Sequence, residues 1–151
     1  MVDPLYKQSI ASLKRLFSSL KAPTAEMRQG FYRAEFIGPW WLRVSGRPSV
    51  AISGLPGWQG KRFLTHDTAT NILRIGDRQT EALSMHCVPG DSQVDGQPGI
   101  ALHYGADAPV PWRWIRDELR VIDSKQMLGM TVINLPLLNK LSFPFLLIRD
   151  T

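Results

Sequence analysis

The sequence predicts a mainly β protein: a single antiparallel β-barrel of the calycin or lipocalin-like kind, with an N-terminal amphipathic α-helix. The length of 151 residues fits one domain. After Pro23, short apolar and aromatic runs alternate with turn residues along the rest of the chain. Strands at this spacing favour a meander that closes on itself, because closure removes exposed sheet edges. We therefore assign residues 1–22 to a helix packed on the barrel and residues 23–151 to the barrel domain.

The N-terminal segment has the pattern of an amphipathic helix. Asp3 and Pro4 are typical of a helix start, because Asp can cap free backbone amides and proline is tolerated in the first turn. Apolar residues then recur on one face at helical spacing. These are Tyr6, Ile10, Leu13, Phe17 and Leu20. We predict a helix that ends before Pro23; a membrane-surface helix and a transit peptide are the alternatives.

Ten strands are predicted beyond this helix. They cover residues 30–37, 40–44, 49–52, 61–65, 71–75, 81–88, 99–104, 114–122, 126–134 and 143–149. Glycine, proline and aspartate pairs between them supply the backbone conformations that chain reversals need. Residues 89–98 form the predicted flexible loop. A barrel of about eight to ten strands encloses one small ligand at most.

Composition excludes several classes of protein. The single cysteine, Cys87, forms neither an internal disulfide nor a thiolate metal cluster, which favours a reducing compartment. No apolar run approaches the roughly 20 residues of a membrane helix. We therefore expect a soluble, cytoplasmic protein without a membrane span, and a homodimer stays open. The formal net charge of +5 favours anionic partners without choosing among them.

The segment Gly30-Phe31-Tyr32-Arg33-Ala34 follows a helix and opens the first predicted strand. Lipocalin-like and nitrobindin-like barrels place a Gly-x-Trp motif there, with Tyr32 standing at the tryptophan position in this chain. Further matching segments begin at Gly57, Leu102, Asp117, Leu128 and Phe143. Together they resemble the bacterial and fungal proteins that carry a GXWXG domain followed by a C-terminal domain of unknown function. The resemblance spans most of residues 24–150 and implies one compact β-rich unit.

The same resemblance implies a structural role for Arg149. In lipocalin-like barrels an arginine of the last strand stacks on the first-strand aromatic and closes one end. Arg149 would stack on Tyr32 or on Trp40, a contact worth about 0.5–2 kcal/mol.

The tryptophans and the Gly54–Lys61 segment are the candidate ligand contacts. Tryptophans line cavities well but also build cores. The candidate ligand-binding residues are Trp40, Trp58, Trp114, Lys61, Arg62, Arg120 and Met130. In the glycine-rich segment, backbone amides together with Lys61 or Arg62 could hold a carboxylate or phosphate group. The alternative for that segment is a solvated hairpin turn.

Four residues are candidates for acid–base chemistry: Asp117, Glu118, His103 and Tyr104. Strand alternation groups Asp117 with apolar neighbours, so it should face inward and lose its hydration, a condition for proton transfer near neutral pH. The alternatives are a bulge that turns it outward, or an ion pair with Arg113 or Arg116. Alternation also predicts that one of His103 and Tyr104 points inward.

We therefore expect a binding protein for a small hydrophobic or aromatic molecule, with an acidic or carbonyl group near basic side chains. The alternative is a cofactor-independent isomerase, cyclase or lyase in the same cavity, so whether the chain is an enzyme stays open. No cofactor or metal is expected, because the histidines lack metal-ligand spacing; a haem on one histidine is the remaining alternative. Scattered charges and the lack of an RNA motif disfavour nucleic acid.

Overall fold

A computed structural model describes residues 7–52 and 54–150 of the chain. Two α-helices lie within these described ranges: α1, Ile10–Ser19, and α2, Trp40–Ile52. The strands are β1 Gly30–Phe36, β2 Trp58–Thr65, β3 Thr68–Ile75, β4 Arg78–Asp91, β5 Pro98–His103, β6 Ile115–Asp123, β7 Gln126–Ile133 and β8 Ser142–Ile148. Short 3-10 helices cover Trp112–Trp114 and Leu138–Lys140. None of the described helices is long and apolar enough to cross a membrane.

The eight strands form a closed antiparallel barrel. Each strand pairs with the next, and β8 returns to pair with β1. The main apolar core fills the barrel interior, with Tyr32, Phe63 and Leu119 among its buried residues. A second core lies between the outside of the barrel and α1. The predicted mainly β architecture is confirmed.

The predicted strands at 40–44 and 49–52 are wrong, because this stretch forms α2. The amides of Leu42 and Arg43 bond to the Pro39 carbonyl and start the helix. Gly46 is buried against the Phe36 ring, where an added Cβ would lie 2.5 Å from ring atoms. Tight packing of α2 on β1 therefore requires glycine at this position.

Helix α1 begins at Ile10. Ser9 is its N-cap and accepts a hydrogen bond from the Ser12 amide, 3.1 Å away. The predicted start at Asp3 and Pro4 lies outside the described residues. Leu13 and Phe17 are fully buried in the outer core, so α1 is held on the barrel by its apolar face.

The barrel end away from α2 is closed by Tyr32 and Arg149. The Arg149 guanidinium carbon lies 4.6 Å from the centroid of the Tyr32 ring. Arg149 also donates to the carbonyls of Met27 and Gln29, and the Tyr32 hydroxyl donates to Met27. Trp40, the other predicted stacking partner, is 69% exposed on α2.

The predicted flexible loop at 89–98 is largely ordered by hydrogen bonds. β4 continues through Asp91, and Ser92 is buried just after it. The Ser92 hydroxyl donates to Glu118 and accepts from the amides of Val94 and Asp95. These bonds fix the turn against the outside of β6.

Candidate functional site

A cavity of about 350 Å³ lies inside the barrel, at the end where β1 leads into α2. Its wall is mainly apolar. The lining residues include Phe36, Trp41, Leu42, Val50, Leu55, Trp58, Trp112, Ile115, Ile133, Phe143 and Phe145. Helix α2 also contributes Ser45 and Ser49, which are exposed at the mouth. This volume is in the range of small-molecule sites.

A bulge in β2 brings both Trp58 and Lys61 into this cavity. A spacing of three residues would place them on opposite faces of a regular strand. The pairing of β2 with β3 shifts between Trp58 and Gly60, which inserts one extra residue and restores a common face. At Gly60 a Cβ would lie 2.0 Å from the Tyr32 carbonyl oxygen. Glycine at this position therefore lets β1 approach the bulge.

Lys61 is the centre of a buried polar group inside the barrel. Its ammonium nitrogen lies 3.0 Å from Asp117 Oδ2, 3.1 Å from Asn71 Oδ1 and 3.1 Å from Tyr104 Oη. With 2% of its surface exposed, it is shielded from water. Thr131 completes the group by donating to Asp117 Oδ1 at 2.7 Å. We call Lys61, Asn71, Tyr104, Asp117 and Thr131 the inner cluster; all five line the cavity.

The hydrogen bonds fix the orientation of the Asn71 amide. Trp58 Nε1 and Lys61 Nζ can only donate, and both lie within 3.1 Å of Asn71 Oδ1. The Asn71 Nδ2 group therefore donates to the Leu83 carbonyl and to Tyr104 Oη. Tyr104 Oη thus accepts two hydrogen bonds, from Asn71 and from Lys61.

The charges of the inner cluster cancel. Burial alone would lower the pKa of Lys61, but the adjacent Tyr104 and Asp117 oxygens outweigh it, and the pKa lies above its ordinary value. Burial raises the pKa of Tyr104, against the opposing effect of Lys61. Both raised pKa values leave Lys61 as an ammonium and Tyr104 as a phenol at neutral pH, and Lys61 forms an ion pair with Asp117.

The four acid–base candidates divide between the two faces of the barrel wall. Asp117 and Tyr104 line the cavity. Asp117 is paired with Lys61 rather than with Arg113 or Arg116, the predicted alternatives. Glu118 and His103 lie on the outer face, since each is the strand neighbour of an inward residue. A catalytic group of all four is therefore not assembled.

On the outer face, Glu118 and His103 belong to a network around Arg116. Glu118 accepts from Arg116 Nε at 2.9 Å and from the Gln93 amide at 2.8 Å. His103 Nε2 lies 3.2 Å from an Arg116 nitrogen. Burial, together with the Arg116 charge, holds the pKa of His103 below its ordinary value. Glu118 fixes the turn after β4 and has no route to the cavity wall.

Two of the seven predicted ligand-binding residues, Trp58 and Lys61, line the cavity. Trp40 points to solvent on α2, where its neighbour Trp41 lines the cavity instead. Trp114 lies in the 3-10 turn before β6, so strand alternation does not apply to it, and Trp112 lines the cavity instead.

The other three predicted ligand-binding residues lie on the outside of the barrel. Arg62 is adjacent to the inward Lys61 and lies over the Phe31 ring at 5.8 Å. Arg120 donates to the Phe17 carbonyl near the end of α1. Met130 is buried in the outer core between the barrel and α1. Lys61 does not contribute to the predicted anion site on the glycine-rich turn, because it is buried in β2 and paired with Asp117.

Sequence reasoning missed Asn71 and Thr131. Each is a polar residue within an apolar strand, and Asn71 is fully buried. A buried amide in a strand implies a polar partner nearby, which was the available signal. Among the described residues, no group of three or more His, Cys, Asp and Glu side chains is placed to hold a metal ion.

Comparison with known proteins supports the fold. No family model matches the chain. No curated protein matches it either. A crystal structure of a protein from Thermomonospora curvata is similar, with a TM-score of 0.71 and 18% sequence identity. The match covers 96% of this chain and 90% of that one. At this identity the likeness shows a shared fold.

Proposed function

We propose that the protein binds a small hydrophobic or aromatic molecule inside the barrel, with the polar end of that molecule against the inner cluster. One observation supports this proposal above all: the cavity combines an apolar wall with one buried polar group, the inner cluster. Lys61 pairs in register with Tyr32, the residue covered by Arg149, so the cluster lies toward the closed end. A ligand would therefore enter past α2 with its polar end leading.

The size of the cavity sets the class of ligand. A volume of about 350 Å³ lies at the lower end of the range for small-molecule sites, roughly 300–1,000 Å³. The rings of Trp41, Phe36 and Phe145 on the wall suit an aromatic or compact apolar body. A single-ring molecule with a short polar substituent fits these limits.

We also propose that the barrel is lipocalin-like and related to the GXWXG proteins. Two features support this: eight strands connected as a closed meander, and an arginine of the last strand stacked on the aromatic of the first.

Blocking the cavity from α2 tests the binding proposal. Ser49 lines the mouth and is exposed, so Ser49→Trp fills the entrance at little cost to the core. Val44→Trp is the matched control, since Val44 is 69% exposed on the same helix and does not line the cavity. Calorimetric titration with acetophenone, and native mass spectrometry for a retained molecule, should show binding by the native chain and Val44→Trp. Equal binding by Ser49→Trp would contradict the proposal.

A second candidate function is proton transfer on a bound substrate, as in an isomerase, cyclase or lyase. It is favoured by Tyr104 and Asp117 lying in one cavity, where a phenol and a carboxylate could act as acid and base. This version needs neither His103 nor Glu118. Turnover that Asp117→Asn abolishes without loss of folding would support it, and equal turnover by this variant would exclude the assignment.

A further inference from the structure

We propose that the cavity selects an uncharged molecule whose carbonyl oxygen accepts a hydrogen bond from the Tyr104 hydroxyl, and that it rejects the corresponding carboxylate. This inference rests on the proposed function and names its ligand class. It follows from counting the donors and acceptors of the inner cluster.

Lys61 has no hydrogen left for a ligand. An ammonium group has three N–H donors, and four acceptors surround Nζ: oxygens of Asp117, Asn71 and Tyr104 at 3.0–3.1 Å, and the Met85 sulfur at 3.4 Å. Its charge is also matched by Asp117. A buried lysine would ordinarily suggest an anion site, but here the anion is supplied by the protein.

The other donors around Lys61 are occupied as well. The Thr131 hydroxyl donates to Asp117, and Trp58 Nε1 donates to Asn71 Oδ1. Both hydrogens of the Asn71 amide have acceptors, namely the Leu83 carbonyl and Tyr104 Oη. None of these three groups can therefore donate to a ligand without breaking an existing bond.

Tyr104 is the exception. Both of its hydrogen bonds within the described residues are accepted by Oη, so they use its lone pairs and leave its proton without an acceptor there. The ring packs against Trp112 at 5.3 Å between centroids, which limits its movement. A ligand oxygen within the cavity would complete the hydrogen bonding of this hydroxyl.

A carboxylate ligand would add an unmatched charge. Asp117 already contributes a carboxylate to the cavity wall, with 4% of its surface exposed. A second buried carboxylate would lose its hydration and lie near the first without a cation to pair with it. A ketone of the same shape carries no such cost.

Three ligands of matched shape and size test this selectivity: acetophenone, benzoate and cumene. Binding is measured by calorimetric titration of the native protein between about pH 5.5 and pH 8. We expect acetophenone to bind most tightly and without pH dependence. Only the neutral acid should enter, so the affinity for benzoic acid should fall about tenfold for each pH unit above the pKa of a simple carboxyl group, about 4.3.

The outcomes separate the two proposals. Benzoate binding that is as tight as acetophenone binding, or independent of pH, would overturn the selectivity while leaving the cavity as a binding site. No measurable binding of any of the three, together with no retained molecule in native mass spectrometry, would count against the proposed function itself.

Two variants sharpen the test. Tyr104→Phe should bind acetophenone no better than cumene, because the donated proton is gone. Asp117→Asn leaves the Lys61 charge unmatched and should reverse the preference, with benzoate at least about tenfold tighter than in the native chain. Unchanged ligand preference in Tyr104→Phe would overturn the role of its proton. Thermal unfolding checks that each variant folds, and if Asp117→Asn does not, the pH series on the native protein decides.

Discussion

Two ion pairs on opposite faces of strand β6 differ in what surrounds them. On the inner face, Asp117 meets Lys61 at 3.0 Å. On the outer face, Arg120 meets Asp95 at the same distance. Both pairs are nearly inaccessible to water. Distance and burial therefore do not distinguish them.

Their remaining partners do distinguish them. Arg120 donates to the Phe17 and Leu20 carbonyls and lies 4.3 Å from the Phe17 ring, so it holds the end of α1. Lys61 bonds to side chains of β3 and β6 and to Tyr104, just after β5, and all of these line a cavity. A buried ion pair that lines a cavity thus indicates a candidate functional site. A buried ion pair whose other bonds go to backbone carbonyls indicates a structural role.

Replacing Lys61 should have the largest effect on stability. Lys61→Met leaves the Asp117 carboxylate buried without a cation, which costs about 3–5 kcal/mol of unfolding free energy. The double variant Lys61→Met with Asp117→Asn should recover a substantial part of this loss, because neither residue is then charged. Urea unfolding measures both. A double variant no more stable than Lys61→Met would show that charge pairing is not the cause.

Replacing Arg120 should destabilise the fold by a somewhat smaller amount, about 3 kcal/mol, because Asp95 keeps a hydrogen bond from the Gln97 amide. Acetophenone affinity of the folded Arg120→Met variant should match that of the native chain. Arg15→Met, at an exposed arginine on α1, is the control and should change stability little. Weakened ligand binding in folded Arg120→Met would remove the distinction between the two pairs.

The sequence predicted the barrel, but it did not predict that one buried ion pair lines the cavity while the other holds α1. Alternation correctly placed Asp117 inside, because β6 is regular there. Alternation alone would misplace Lys61, because the bulge between Trp58 and Gly60 changes the face of the strand. The apolar runs that predicted strands at 40–44 and 49–52 belong to α2, because its tryptophans and β-branched residues are also typical of strands. The spacing of Leu42, Gly46 and Val50 was the helical signal in this stretch. It could be recognised only from the structure, where Gly46 packs against the Phe36 ring.

A third substitution, Glu118→Gln, sharpens the comparison on the outer face. The Glu118 carboxylate accepts one charge-assisted bond from Arg116 and a bond from the Gln93 amide. Losing the charge should cost about 1–2 kcal/mol of unfolding free energy and leave ligand binding unchanged. Urea unfolding and calorimetric titration measure the two effects separately. A loss of ligand affinity would place Glu118 in the site after all.

The smallest expected effect concerns the response of the outer pair to acid. Burial alone would raise the pKa of the Asp95 carboxyl, but bonds from Arg120 and the Gln97 amide hold it below its usual range. Because the folded state binds this proton less readily than the unfolded chain, the stabilisation is present above about pH 4 and lost as pH falls below it. Asp95→Asn should therefore lose less stability than the native chain between about pH 5 and pH 3. Asp77→Asn, at an exposed turn, is the control. Equal acid sensitivity of Asp95→Asn and the native chain would mean that the Asp95 charge does not help Arg120 to hold α1 in place.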